Sequence, residues 1–526
     1  MSFFQNRNQL ATLLFLLLAT LIAYILLLVL TQGNFTYAIS APYIHMTIAK
    51  YFIMDGILSV DGETYSSATS APLWMMLLSP FYKLLGAKLF VYFSAFLNLF
   101  FQVLTILLAF KIVERFTSQK LHYAYGILLI LGTPFITLTL GGAEHSLQIF
   151  LIVWFIYYLI PYLQDKKRSS DKWKLLLLAP FIVFVRYEDI AFIVAVAMAL
   201  TFYFREWRFS LLLIASSLIF VAIFAFWSSV ILGIDPVPTS IIAKTTVNQL
   251  SFMEKFLANL RQPHIVVLLT LNFAIFIKTL RGIEGFSLAL FGTKVSDSKK
   301  SILLILSTIF IMTLIAHLLF ARLGWMFRYE AYLVTFGLLN IIIYQHLFPL
   351  QKKWFLAVLA FILLGLAKQI AYSPIYASFS AKKIYEQKIQ TAKFVKEYYT
   401  ASHLTTDNIG SIPYFSDVKV FDIHGLTNPE IITLKKKNIY TDKIKKELIL
   451  KKNNEMIIAY SSRFKDEKIE GYTKIVDWRV TNRLHPSDSV VSLYSRDDKV
   501  DEYYKKIKLF SEKELPKNIE IIWSRR

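Results

Sequence analysis

The chain contains no cysteine, which excludes disulfide bonds, thiolate metal centres and cysteine nucleophiles together. That absence is compatible with either redox environment and so leaves the compartment open. Acidic residues are few: 36 Asp+Glu stand against 57 Lys+Arg, a formal net charge of +21 at pH 7. Glycine and proline number only 18 and 15 among 526 residues, and no internal repeat, low-complexity tract or Pro/Gly/Ser linker divides the chain. Apolar residues, in contrast, make up 56%, with mean hydropathy +0.51. A soluble domain carries roughly 45–50%, so a simple cytosolic enzyme is excluded.

The excess is concentrated in residues 1–374. Residues 9–31 form an apolar run long enough to cross a hydrocarbon core of about 30 Å, and longer than the 7–15 apolar residues of a signal peptide, although Ala38-Ile39-Ser40-Ala41 has the small residues of a cleavage site. Ten further spans are expected near 88–112, 122–140, 146–163, 173–186, 189–204, 209–233, 263–280, 301–321, 330–349 and 354–373. Basic residues favour cytoplasmic loops. Arg7, Lys111, Arg115, Lys166, Lys172, Arg205, Lys278, Lys300, Lys352 and Lys353 therefore place the N-terminus inside and, with eleven spans, the tail outside. Residues 71–86, interrupted by Pro72, Pro80 and Lys83, are expected as a helix lying at the outer interface.

The expected architecture is mainly α: a polytopic membrane bundle of about eleven helices over 1–374, with an outer loop at 32–87, and a small α/β extracytoplasmic domain over 375–526. In the tail, 381–400 reads as an amphipathic helix, and 418–423, 456–460, 490–494 and 519–523 as short strands. The lysine runs at 435–437 and 443–446 read as a solvated face. An outer domain meets lipid headgroups or envelope anions first, so no nucleic-acid partner is expected.

Ionisable residues at span ends carry the chemical information. Four outer corners are dense: Tyr43-Ile44-His45 through Glu63 and on to Trp74, Gly142-Ala143-Glu144-His145, Arg186-Tyr187-Glu188-Asp189, and Arg328-Tyr329-Glu330. Each closes a different span, so a bundle brings them to one depth around one cavity. Arg186, Lys244 and Arg328 beside Glu144, Glu188 and Glu330 would hold a phosphate while a carboxylate accepts a proton, the combination that glycosyl transfer from a lipid-phosphate sugar requires. Arginine suits the leaving phosphate because its planar fork binds two oxygens. A transporter would instead place charge at the midplane of broken helices in repeated halves.

The ordered motifs resemble the integral membrane, polyprenyl-phosphate-sugar-dependent glycosyltransferases of the GT-C fold, in particular a bacterial branch with a C-terminal soluble domain. The likeness rests on Ala41-Pro42-Tyr43-Ile44-His45, Gly142-Ala143-Glu144-His145, Val185-Arg186-Tyr187-Glu188 and Arg328-Tyr329-Glu330-Ala331-Tyr332. It is extended by 238–244 and by Asp422-Ile423-His424-Gly425-Leu426. The resemblance implies a polyprenyl-phosphate sugar as donor, an envelope glycan, lipid or protein as acceptor, and a place in the bacterial inner membrane. It also implies an acidic pair before Pro42-Tyr43-Ile44-His45, where this chain has Ser40-Ala41. Glu144, or failing it Glu63, is then expected to take the acceptor proton, with Arg186, Lys244 and Arg328 on the phosphate and His45 and His145 positioning hydroxyls. Glu188 and Glu330 are expected to pair with and orient their neighbouring arginines. The spacings match no metal site, so no metal or other cofactor is expected. The alternative to a transferase is a non-catalytic relative that binds or assembles lipid-linked glycans.

Overall fold

The computed structural model describes residues 7–66, 69–117, 121–164, 169–233, 239, 251–281, 299–466, 468–480 and 490–524. The chain packs as two units. Residues 1–24, 95–223 and 250–377 form the first, and residues 25–94, 224–249 and 378–526 the second.

The first unit is helical, and its composition makes it the body of a multi-pass membrane protein. Seven helices in the described residues are long and apolar enough to cross a membrane, or up to nine if each of two bent pairs counts as one span. All eleven expected stretches are helical. The bent pairs are Tyr123–Gly132 with Phe135–Gly141, turned by 45°, and Lys352–Gly365 with Lys368–Tyr398, turned by 52°. The first turn falls at Thr133-Pro134, where proline cannot continue the backbone ladder. Ser169–Val185 and Ala331–Leu347 are also helical but have only 17 residues each. Pro72–Glu114 is continuous except at Gly86, whose φ of 66° breaks the helical path. That break ends the stretch expected to be interfacial.

Helices His145–Gln164, Ile190–Phe204, Lys299–Phe320 and Ala331–Leu347 meet through a chain of edge-to-face rings. Phe155 and Phe192 are 5.5 Å apart, Phe192 and Phe336 6.1 Å, and Phe336 and Phe310 5.6 Å. Such pairs add about 0.5–1.5 kcal/mol each beyond area burial. Two buried polar pairs tie helices together, as membrane burial favours: Asn340 Nδ2 donates to Asn272 Oδ1 at 3.1 Å, and Thr133 and Thr335 share a bond of 2.9 Å. Helix Arg7–Leu30 instead exposes Leu14, Leu18 and Val29, as expected of a lipid-facing helix.

The second unit is built on a six-stranded mixed sheet. Its strands are β1 (His403–Thr406), β2 (Lys419–Asp422), β3 (Met456–Tyr460), β4 (Tyr472–Val480), β5 (Val490–Arg496) and β6 (Ile519–Trp523), in the order β2-β1-β3-β5-β4-β6. β1 runs parallel to β2 and β3, and the other pairs are antiparallel. Phe421, Ile457, Ala459 and Tyr494 pack with Ile431 and Ile449 on one face, beneath helices Pro429–Lys436 and Asp442–Lys452. Trp478 packs with Phe394 and Phe510 on the other, beneath helices Gln390–Tyr398 and Val500–Lys513. Helix Ala41–Asp55 joins this unit: Thr47 Oγ1 donates to the Gly410 carbonyl at 3.1 Å, and Lys50 Nζ to Asp417 Oδ1 at 2.9 Å. A side chain at Gly410 would meet Tyr43 and Ile44 at 3.0–3.2 Å, so glycine permits this close docking.

Candidate functional site

Three chain reversals in the first unit converge. Helix Phe135–Gly141 stops at Gly142, which takes a left-handed conformation with φ 64°. Glu144 therefore stands immediately before helix His145–Gln164, where the first N–H groups favour a negative charge. Helix Ser169–Val185 ends at Arg186, whose extended backbone (φ −153°, ψ 123°) leads into the short turn Tyr187–Asp189. The third reversal lies between Phe320 and Ala331.

Arg186 is the hub. Its Nη1 donates to Glu144 Oε1 at 2.5 Å and its Nε to Glu188 Oε1 at 2.8 Å, and Nη2 also bonds Glu188. Arg186 and Glu144 are buried, whereas the Glu188 side chain is 29% exposed. The guanidinium is thus shared between two carboxylates, a geometry that a single ammonium cannot reproduce. His145 is buried beside them, with Nδ1 3.3 Å from Gln148 Oε1 and Nε2 3.8 Å from Glu144 Oε1. Gln148 Nε2 in turn donates to Asp189 Oδ1 at 2.8 Å. Asp189 is fully buried and its Oδ2 has no hydrogen-bond partner among the described residues.

Tyr329 joins this cluster to the third reversal. The Arg186 guanidinium lies 5.1 Å from its ring centroid, that of Arg328 4.7 Å, and the His145 ring meets it edge-on at 5.7 Å. Arg328 Nη2 donates to the Tyr329 hydroxyl at 2.7 Å. Arg328 Nε and Nη1 are buried and have no hydrogen-bond partner among the described residues. The residue is half-buried, and buried guanidinium nitrogens left unanswered are costly unless an acceptor arrives.

Glu330 does not pair with Arg328, contrary to the expectation from the sequence. Both of its oxygens accept from the Gly324 N–H, at 3.2 and 3.0 Å. His264 Nε2 lies 3.2 Å from Glu330 Oε1, close but without hydrogen-bond alignment. Between the ends of this tie, Gly324, Trp325, Met326 and Phe327 all have positive φ, at 85°, 49°, 68° and 59°. For three bulky residues in succession this is strained backbone, at about 1–2 kcal/mol per residue. His317 secures the entrance to the turn, with Nε2 3.2 Å from the Arg322 carbonyl and Nδ1 3.1 Å from the Tyr332 hydroxyl.

Of the expected site residues, Glu144, His145, Arg186, Glu188, Arg328 and Glu330 come together in this unit. His45 and Glu63 belong to the second. His45 is buried, with Nδ1 3.3 Å from Thr69 Oγ1. Glu63 is half-exposed and paired with Lys419 and His403. Lys419 holds its carboxyl below the ordinary value, so Glu63 is a weak base at neutral pH. Lys244 lies outside the described residues. Asp189, Tyr329 and His264 complete the cluster without having been singled out. Asp189 and Tyr329 sat inside quoted motifs, while nothing in the local sequence marks His264. No group of three or more His, Asp or Glu arranged to hold a metal ion occurs among the described residues.

A family model described as a domain of unknown function, DUF8728, matches residues 379–499. No curated protein matches the chain. Among solved structures, it is similar to the archaeal oligosaccharyltransferase AglB from Archaeoglobus fulgidus in complex with an inhibitory peptide and a dolichol-phosphate, with 13% identity, 99% of this chain and 76% of that one covered, and a TM-score of 0.45. An Archaeoglobus fulgidus oligosaccharyltransferase in complex with Zn and sulfate matches at 13% identity over 96% and 74% of the two chains, TM-score 0.44. Likeness of this degree assigns no activity, and the chemistry has to come from the side chains.

Proposed function

We propose that the protein is a membrane glycosyltransferase of the GT-C type, moving a sugar from a polyprenyl-phosphate donor to a cell-envelope glycan, lipid or protein. The observation that carries this reading is Arg328: a half-buried side chain stacked on Tyr329, whose buried Nε and Nη1 have no hydrogen-bond partner among the described residues. The leaving phosphate supplies the missing acceptors. Arg186 cannot serve in the same way while Glu144 and Glu188 occupy it, so its part is to orient Glu144. In the reaction the acceptor oxygen bonds to the anomeric carbon, the bond from that carbon to the phosphate oxygen breaks, and the acceptor proton passes to Glu144. The polyprenyl phosphate leaves with its charge on Arg328. Direct displacement inverts the anomeric centre. The basic-loop pattern supports an orientation with the N-terminus in the cytoplasm and the C-terminal domain outside; a bacterial inner membrane is the setting that the family resemblance implies.

A second reading, a non-catalytic protein that binds lipid-linked glycans, is favoured by Ser40-Ala41, where the resemblance calls for acids, and by the burial of Glu144 in its ion pair. The test is transfer by the reconstituted full chain from radiolabelled polyprenyl-phosphate sugars to envelope glycans. The transferase reading expects labelled product, a loss of at least about 100-fold in Glu144→Gln, and a comparable loss in Arg328→Ala that Arg328→Lys only partly restores. Donor binding without transfer to any acceptor would establish the second reading instead.

A further inference from the structure

An apolar cavity lies in the first unit, away from the polar cluster. It has a volume of about 610 Å³, and its walls are almost wholly apolar, with Leu271, Ala274 and Phe355 among them. That volume falls within the range of about 300–1,000 Å³ for ligand pockets. Its polar lining includes Lys278, His122 and Gln345. The helices set its distance from the proposed site. Ala331–Leu347 starts directly after Glu330 and reaches the cavity with Gln345, 14 residues or about 21 Å along the axis. Pro263–Arg281 likewise runs from His264, beside Glu330, to Lys278.

Charge in the segments that line the cavity has one sign. Segments 121–132, 263–281 and 331–353 contain no Asp or Glu, while they carry Lys278, Arg281, Lys352 and Lys353. Lys278 is exposed and has no carboxylate partner among the described residues. An apolar hollow in membrane-spanning helices, with an exposed ammonium at its edge and further cations at the neighbouring helix ends, matches a molecule with a hydrocarbon tail and an anionic head.

We propose that this cavity binds one acyl chain of an anionic phospholipid, whose phosphate is held by Lys278. The inference is independent of the chemistry proposed for the polar cluster. The bulk lipid that coats any membrane helix discriminates little between headgroups, whereas this site selects an anionic one.

The experiment is native mass spectrometry of the full chain in detergent, titrated in parallel with phosphatidylglycerol and phosphatidylcholine. One phosphatidylglycerol is expected to survive collision energies that strip phosphatidylcholine. Ala274→Trp, which fills the hollow, and Lys278→Glu, a surface change with little effect on folding, are each expected to lower its occupancy by about tenfold. Leu364→Trp, at a side chain 75% exposed on helix Lys352–Gly365, is expected to leave it unchanged. Equal retention of the two lipids, or full retention in both Ala274→Trp and Lys278→Glu, would overturn the proposal. Displacement of the lipid by glycerol phosphate alone would also overturn it, by making the site one for a free phosphate.

Discussion

Both carboxylate oxygens of Glu330 accept from the backbone N–H of Gly324, at 3.2 and 3.0 Å. This contact closes the turn that delivers Arg328 and Tyr329, so a residue expected to orient its neighbouring arginine holds the backbone instead. Glu330→Ala should leave the Gly324 N–H unanswered and release the turn, at a cost of about 1–3 kcal/mol. Glu330→Gln keeps a carbonyl acceptor and should lose less than half of that. Thermal unfolding of the purified protein in detergent gives the order. If the alanine and glutamine variants melt together, the tie is not what holds the turn.

The left-handed run at Trp325, Met326 and Phe327 makes an opposite prediction. Glycine adopts positive φ without steric cost, although it adds entropy to the unfolded chain. Met326→Gly is therefore expected to be neutral or to stabilise by up to about 1 kcal/mol. Met326→Val, with a branched Cβ, should destabilise by at least about 1 kcal/mol. Melting temperatures in the order glycine, methionine, valine would establish strain at this position, whereas glycine below methionine would refute it.

Arg186 stabilises two carboxylates at once. Removing it strands Glu144 in a buried site, and breaking such a pair costs about 3–5 kcal/mol. Arg186→Gln should thus be severely destabilised, Arg186→Lys intermediate, and the double variant Arg186→Gln/Glu144→Gln more stable than Arg186→Gln alone. A double-mutant cycle on unfolding free energy measures this coupling, expected to exceed about 1 kcal/mol. Strict additivity would make the 2.5 Å contact energetically irrelevant.

Much of this structure was legible in the sequence, for identifiable reasons. Lipid burial imposes long apolar runs, so every stretch expected to span is helical, although among the described residues seven to nine rather than eleven are long and apolar enough to cross. Residues 72–86, expected to lie at the interface, form one helix with the next stretch, broken only at Gly86. Four strands were readable because β2, β3, β5 and β6 are short β-branched or aromatic runs. β4 was not, since Lys474, Asp477 and Arg479 interrupt it and a register shift between Lys474 and Val476 breaks the alternation. In the cluster, Glu144, Arg186 and Arg328 stood out as charges that a membrane does not need. Their partners were harder to assign. Adjacency suggests Arg328 for Glu330, but the left-handed turn from Gly324 to Phe327 brings the Gly324 N–H back to the Glu330 carboxylate, and no one-dimensional pattern announces three bulky residues at positive φ.

His424 provides a pH test in the second unit. It follows β2 in the turn that Asp422 organises by accepting from the N–H groups of His424 and Thr427. Burial pushes the imidazole down to about 3, with Arg463, Lys435 and Lys388 adding to the effect and Asp407 opposing it. In the unfolded chain this histidine titrates near 6.5. Between these values the unfolded state binds a proton that the folded state refuses, so stability falls as pH is lowered from about 6.5 toward 3, by up to about 1.4 kcal/mol per pH unit. Asp422, which burial raises above its ordinary value, contributes the opposite slope in the lower part of that window. Comparison with His424→Gln isolates the histidine. Pulse proteolysis of the tail in the full chain, at pH 5.0 and 7.0, is expected to find that the glutamine variant loses less stability on acidification than the parent, by about 1–2 kcal/mol. An equal loss in both proteins would mean that His424 accepts its proton in the folded state and that the surrounding cations do not control it.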